Sequence, residues 1–230
     1  MPPFGPIYCE TPPMIGPGFP AEPWNTYSSF VIVIFGLASL ALVARRTPRA
    51  FDLYALCVLL ILNGVGSSLW HGLRTRWALT FDVFPALVFL VALIFLWSRR
   101  ISPLWQSLLV VVGFFLIQTG QRYLGINLAG IGIWVALAPA VILVALWLIL
   151  RTAPLSARAA AFGGATLATG LVALLFRTID RTACPYLPAG THFLWHILLS
   201  SAAFLGLMAL TILSRLRTGP DAFAIRSTSA

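Results

Sequence analysis

The chain has 230 residues, of which 60% are hydrophobic and only 9% carry charge, and its mean hydropathy is +0.94. Because a soluble domain carries about a quarter charged residues, this composition excludes a soluble protein and indicates an integral membrane protein. The net charge of +9 comes from arginine alone, and the arginines cluster in short links between apolar runs, a pattern typical of membrane topology that gives no sign of nucleic-acid binding.

The first 25 residues are rich in proline and contain no arginine, so they do not resemble a cleavable signal peptide and predict an ordered N-terminal cap, residues 1–25. Each of the apolar runs that follow is close to the ~20 residues that a helix needs to cross the hydrocarbon. Lipid cannot satisfy open backbone groups, so the runs are expected to be helices. They predict an all-α bundle of seven transmembrane helices in residues 26–213, followed by a polar tail at 214–230. The runs are 26–44, 53–72, 82–98, 103–121, 127–150, 160–177 and 191–213.

The arginines also predict how the bundle is oriented. Five of them fall on the side of the N-terminus and ten on the opposite side. The positive-inside rule therefore places the N-terminus outside and the C-terminus in the cytoplasm. The composition, with no lysine and with short loops, suggests a bacterial inner membrane.

The three histidines of the chain all fall near the outer face. His71 ends the second run, and His192 and His196 begin the last one. Ser67 lies one turn deeper than His71, and Asp82 is expected at the start of the third helix. Residues four apart share a helix face, so three imidazoles from two helices are expected to converge. This set suits a tetrahedral zinc with an open fourth position.

Spacing alone is also compatible with roles that need no zinc. Interfacial histidines can simply hydrogen-bond to backbone or headgroups, and two histidines can ligate a haem. Asp82 can act as the N-cap of the third helix. Ser68 points about 100° away from Ser67 on a helix, so a packing role or a backbone hydrogen bond is expected for it. Cys57 lies within an apolar run and is expected to pack.

Several segments together resemble a known family. "GSSLWHG" is followed by Asp82 eleven residues after His71, and "THFLWHILL" opens the last run. With "YCE", "AEPWNTYSS" and "TIDRTAC", these segments resemble the alkaline ceramidases over about residues 8–200. That family belongs to a superfamily of seven-helix membrane hydrolases that includes the adiponectin-receptor-like proteins.

The resemblance implies an amidase that splits ceramide into a fatty acid and a sphingoid base. It implies that His71, His192 and His196 bind zinc. Ser67 would hold the substrate carbonyl or its oxyanion, and Asp82 would transfer protons to and from water and the leaving amine. The lipid amide would enter from the bilayer. No Gly-x-Ser-x-Gly motif surrounds Ser67, so a nucleophilic serine is not expected.

Two further features follow from the resemblance. Eukaryotic members carry an N-terminal calcium site, for which Glu10, Glu22 and Asn25 are the candidates here. "IYCETP" lacks an aspartate and an asparagine of the family pattern, so calcium binding is expected to be weakened. Glu22 could instead cap the first helix or accept hydrogen bonds from its first turn. The two cysteines expected outside, Cys9 and Cys184, match family cysteines, which implies a disulfide.

Two functions other than an amidase are alternatives for this sequence. A receptor-like seven-helix protein would bind lipid with little or no turnover. A metal transporter would need ligands along a path through the bilayer, whereas the histidines here share one depth. The sequence does not specify the preferred lipid, its chain length or any protein partner.

Overall fold

The computed structural model describes residues 7–12, 18–124 and 133–218. Within these residues the chain forms seven α-helices, each of which is long and apolar enough to cross a membrane. They are α1 (Pro23–Arg46), α2 (Phe51–Leu73), α3 (Arg76–Ile101), α4 (Leu104–Tyr123), α5 (Ile133–Thr152), α6 (Ala157–Ala183) and α7 (His192–Thr218). The predicted all-α, seven-helix, multi-pass architecture is confirmed.

The helix ends differ from the apolar runs in a few places. α3 begins at Arg76 with Thr75 as its N-cap residue, so Asp82 lies inside the helix. The N-cap interpretation of Asp82 is therefore wrong. The first turns of α3 include arginine and threonine, and hydropathy alone does not mark them as helical. α7 continues to Thr218, past the predicted start of the polar tail, and the residues after it lie outside the described part of the chain.

The bundle has a core formed by α1, α2, α3, α6 and α7. α2 packs against α1 and α3, and α7 packs against α6 and α1, while α4 and α5 pack less extensively against their neighbours. Buried apolar side chains of α2, α3, α5 and α7 fill the centre. Many large apolar side chains of α3, α4 and α5 face outward, which suits contact with lipid tails.

A close helix contact brings α3 against α2 beside the predicted site. A Cβ at Gly66 would lie 2.7 Å from the backbone nitrogen of Asp82 and would overlap the Phe81 carbonyl. Only glycine permits this approach, because it lacks a Cβ. The contact places Asp82 next to Ser67, the residue that follows Gly66.

Residues 7–12 of the N-terminal segment are fixed to the end of the bundle where α7 begins. Cys9 and Cys184 form a disulfide whose Cα atoms are 5.2 Å apart, so the predicted pairing is confirmed. Beside it, the buried Asp180 carboxylate accepts hydrogen bonds from the backbone N–H groups of Cys9 at 3.0 Å, Thr191 at 2.6 Å and His192 at 2.8 Å. This carboxylate thus joins the segment, the end of α6 and the first turn of α7.

Candidate metal centre

The three histidines meet at the end of the bundle where α1 begins and α2 ends. His71 lies near the end of α2, His192 begins α7, and His196 follows one turn later. All three are buried, with 0%, 1% and 2% of their surface exposed. One nitrogen from each lies within 4.8 Å of the others, and among the described residues no other group of three His, Cys, Asp or Glu side chains is as close. The convergence expected from their spacing is therefore present.

The second nitrogen of two of these rings is held by a partner. The Glu22 carboxylate contacts Nδ1 of His71, and the Ser28 hydroxyl lies 2.8 Å from Nδ1 of His196. Since Ser28 can donate to the Asn25 carbonyl at 3.1 Å, it can accept from the imidazole. Both contacts favour the tautomer protonated at Nδ1, which leaves the Nε2 lone pair free. Metal-binding histidines in proteins are commonly fixed in this way.

A second observation, the lack of partners for two ring nitrogens, also indicates that the histidines could bind a metal. Nε2 of His71 and Nδ1 of His192 are buried and have no hydrogen-bond partner among the described residues. Buried polar nitrogens are nearly always hydrogen-bonded or ligated. The ring centroids are 4.7–5.2 Å apart, and three converging imidazoles are a donor set that zinc accepts. The cluster can therefore hold a metal ion such as zinc.

Asp82 lies in a polar group beside the histidines. The Asn63 amide donates to the Asp82 carbonyl at 2.8 Å and to its carboxylate at 3.2 Å. The Ser67 hydroxyl also contacts this carboxylate, and it lies 3.0 Å from the Ser29 hydroxyl. Ser29 in turn lies 3.4 Å from Nδ1 of His196. A short polar chain thus connects the carboxylate to the histidine cluster.

Ser68 has the structural role expected from its helix position. Its hydroxyl donates to the Gly64 carbonyl at 3.0 Å and lies 3.4 Å from the Thr26 carbonyl of α1. Cys57 is fully buried in the apolar core. Neither side chain faces the histidines.

The candidate calcium residues make protein contacts. Glu10 accepts from the backbone N–H groups of Trp24 at 2.6 Å and Asn25 at 2.9 Å, so Glu10 caps α1. Glu22 is the N-cap residue of α1, and its backbone carbonyl accepts from Thr26 at 2.8 Å. Its carboxylate makes no capping hydrogen bond to the backbone but lies 3.5 Å from the side-chain amide of Asn25 in the first turn. Burial raises the pKa of the Glu10 carboxyl, and the two N–H donors oppose this shift. The calcium site stays a prediction.

Glu22 instead lies at the centre of a buried charge cluster. It accepts from the Thr11 hydroxyl at 2.5 Å and pairs with Nε of Arg74 at 3.3 Å, in addition to its contact with His71. Burial raises the pKa of the Glu22 carboxyl, and the positive charge of Arg74 opposes this shift. Arg74 is 2% exposed, and its guanidinium lies 4.0 Å from the centre of the Trp70 ring.

Two residues that sequence reasoning missed lie against His192. The Tyr8 ring stacks on the His192 ring with centroids 3.9 Å apart. Nη1 of Arg177 lies 3.5 Å from Nε2 of His192. In the sequence, Arg177 contributed only to the predicted orientation of the bundle. The sequence did contain a signal for a role of Arg177 near the site: it is an arginine at the end of an apolar run, three residues before Asp180.

An apolar cavity of about 200 Å³ opens inside the bundle below the histidines. Its wall comes mainly from α3, α5, α6 and α7. Asn63 and Trp195 lie at its polar end, and Trp97 and Leu148 line it further along α3 and α5. The cavity is therefore suited to an apolar chain whose polar end reaches the histidines.

Comparison with known proteins identifies one family. The ceramidase family matches residues 8–227, nearly the whole chain. No curated protein sequence matches it. The family match covers the histidines, Asp82, Ser67 and both cysteines of the disulfide. The chain therefore belongs to the ceramidase family.

Proposed function

We propose that this protein is a zinc-dependent membrane amidase. It hydrolyses the N-acyl bond of ceramide or a related lipid amide and releases a free fatty acid and a sphingoid-type base. One observation carries the proposal: three buried histidine nitrogens meet within 4.8 Å in a chain of the ceramidase family. Such a site suits metal-assisted hydrolysis.

His71, His192 and His196 would hold the zinc ion. When bound, zinc supplies a Lewis acid that polarises the amide carbonyl and lowers the pKa of water toward about 7. Glu22 and Ser28 orient two of the three rings through their Nδ1 atoms. These contacts support a fixed ligand geometry before the metal arrives.

Asp82 would transfer the protons of the reaction. An amide needs a proton removed from the attacking water and one delivered to the leaving nitrogen, and a single carboxyl can do both in turn. The Asn63 amide, which donates to the Asp82 carboxylate at 3.2 Å, would hold it toward the substrate.

Ser67 would donate its hydroxyl hydrogen to the substrate carbonyl oxygen as negative charge develops there. It is almost fully buried and lies between Ser29 and Asp82. A hydroxyl in this position is fixed before the substrate binds, which favours stabilisation of the transition state.

The substrate would enter from the bilayer with its chains in the apolar interior. The cavity lined by Trp97, Trp195 and neighbouring apolar residues supports this entry. A lipid amide can then reach the histidines without leaving the membrane.

The proposed orientation places the site on the non-cytoplasmic side. A reporter active only outside the cytoplasm should work when it is inserted between Cys184 and Gly190. A reporter active only inside should work when it is fused after Thr218. The opposite pattern would place the site on the cytoplasmic face.

The test of function combines metal analysis with mass spectrometry of lipid products. Purified protein should contain about one zinc per chain and convert a defined ceramide to fatty acid and base. Removing zinc with a chelator should stop product formation, and adding zinc should restore it. A chelator selective for calcium tests the calcium prediction in parallel. Lipid binding without product in zinc-loaded protein would contradict the proposal and favour the receptor-like alternative.

A further inference from the structure

Arg177 is a cation for which the described residues provide no anionic partner. Among these residues, no carboxylate forms an ion pair with its guanidinium. The polar contact it makes is the one to Nε2 of His192 at 3.5 Å. Its Cζ lies 5.2 Å from the centre of the Trp195 ring and 5.8 Å from that of Tyr8. Aromatic faces thus hold the guanidinium on two sides.

The position of this cation is unusual. Arg177 is partly buried on α6, and its guanidinium lies directly beside His192, one of the three converging histidines. A cation beside a centre that would hold a dication is repelled by it. Charged groups inside a membrane protein generally have a partner. An anion bound between Arg177 and the histidines would offset this repulsion and give the guanidinium a partner.

The surroundings indicate what kind of anion fits. Trp195, on which the guanidinium lies, also lines the apolar cavity, as does Leu174, one turn before Arg177 on α6. The Arg177 guanidinium therefore lies between Trp195 in the cavity wall and His192. This arrangement suits an amphiphile with an anionic head and a long apolar tail.

We propose that Arg177 binds the carboxylate of a long-chain fatty acid held with its tail in this cavity. The inference rests on the proposed function, because hydrolysis of a lipid amide at the histidines generates such a carboxylate there. Arginine presents planar paired donors that match the two oxygens of a carboxylate. The neutral amide substrate lacks this charge, so Arg177 would act chiefly on the product.

The first experiment uses wild-type protein loaded with zinc in nanodiscs of zwitterionic lipid. Retention of isotope-labelled hexadecanoic acid is measured against empty nanodiscs, with hexadecanol as competitor. We expect the acid to be retained and the alcohol to compete at least about tenfold less well, as a charge-assisted hydrogen bond implies. If the alcohol competes as well as the acid, the carboxylate is not recognised, and this result alone would overturn the proposal.

The second experiment compares Arg177→Gln with Arg181→Gln. Arg181 is on the same helix one turn further and is exposed, so its substitution removes an equal charge from the same region. Arg177→Gln should weaken retention of the acid by about 10- to 100-fold, and Arg181→Gln should leave it unchanged. Equal weakening by both variants would indicate general electrostatics and overturn the proposal. So would unchanged retention in Arg177→Gln.

Arg177→Lys checks the result if Arg177→Gln folds poorly, because it keeps the charge and loses the planar fork. It should retain the acid better than Arg177→Gln and less well than wild type, whereas retention equal to wild type would reject the paired contact. Product formation from ceramide is measured separately. Amide hydrolysis without acid retention would refute only the role of Arg177, and acid retention without amide hydrolysis would refute only the proposed function.

Discussion

Replacing Glu22 by glutamine should weaken metal binding more than any other single change outside the histidines. The Glu22 carboxylate contacts Nδ1 of His71 from a fully buried position. Glutamine keeps the shape and an acceptor oxygen but loses the charge that strengthens the hydrogen bond and the basicity of Nε2. Loss of such a partner typically costs about 10- to 100-fold in metal affinity.

The same substitution should also destabilise the fold. Glu22 neutralises Arg74 at 3.3 Å, and Arg74 is almost completely buried. Removing one member of a buried ion pair costs about 3–5 kcal/mol, because the other charge is left uncompensated. Adding Arg74→Gln to Glu22→Gln should recover much of this stability and none of the metal affinity, so the double variant separates the two effects.

The assay is a zinc titration against a competing chelator, with thermal unfolding of the metal-free protein measured alongside. Glu10→Gln is the matched control, because Glu10 belongs to the same N-terminal region but caps α1. It should cost about 1 kcal/mol of stability and leave zinc affinity unchanged. Zinc affinity in Glu22→Gln equal to that of wild type would refute the idea that this carboxylate supports the metal ligand.

Three further predictions follow from other contacts. Asp82→Asn should keep normal zinc content and folding and lose about 10²- to 10⁴-fold in amide hydrolysis, measured by product release; full activity would mean that another group transfers the proton. Replacing Cys9 and Cys184 by serine should lower the free energy of unfolding by about 2–5 kcal/mol, which denaturation of wild type and variant would show. Burial raises the pKa of the Glu10 carboxyl, so between the ordinary and the raised pKa the folded protein holds more protons than the unfolded chain. Stability should therefore decrease as pH rises through that window. Glu10→Gln should reduce this slope in a pH series of unfolding curves and leave the part that comes from Glu22, whose pKa is also raised by burial.

The sequence predicted those features that depend on local periodicity. Apolar runs of membrane length predicted seven helices, and the four-residue spacing of His192 and His196 predicted a shared face. His71 could be added because helices of this length and order place its end of α2 at the same depth as the start of α7. The convergence of the three histidines could therefore be predicted from topology and spacing alone.

The remaining parts of the site depend on contacts between distant residues. Ser28 and His196 are 168 positions apart, and Glu22 and His71 are 49 apart, so no local pattern marks either contact. Asp82 was expected at a helix start because the hydrophobic run begins there. The helix begins six residues earlier, because helix formation extends beyond the apolar stretch that spans the hydrocarbon.

Residues 7–12 of the N-terminal segment belong to the candidate metal centre by their contacts. Tyr8 stacks on one histidine, Thr11 donates to the carboxylate of Glu22 that holds another, and the Cys9 disulfide fixes both to the end of α6. A segment that merely covered the site could loosen without changing ligand geometry. Here loosening would release the Thr11 contact to Glu22 and the stacking on His192 together. Any partner or condition that detaches this segment would therefore act on metal affinity as well as on substrate access, and the two effects should appear together.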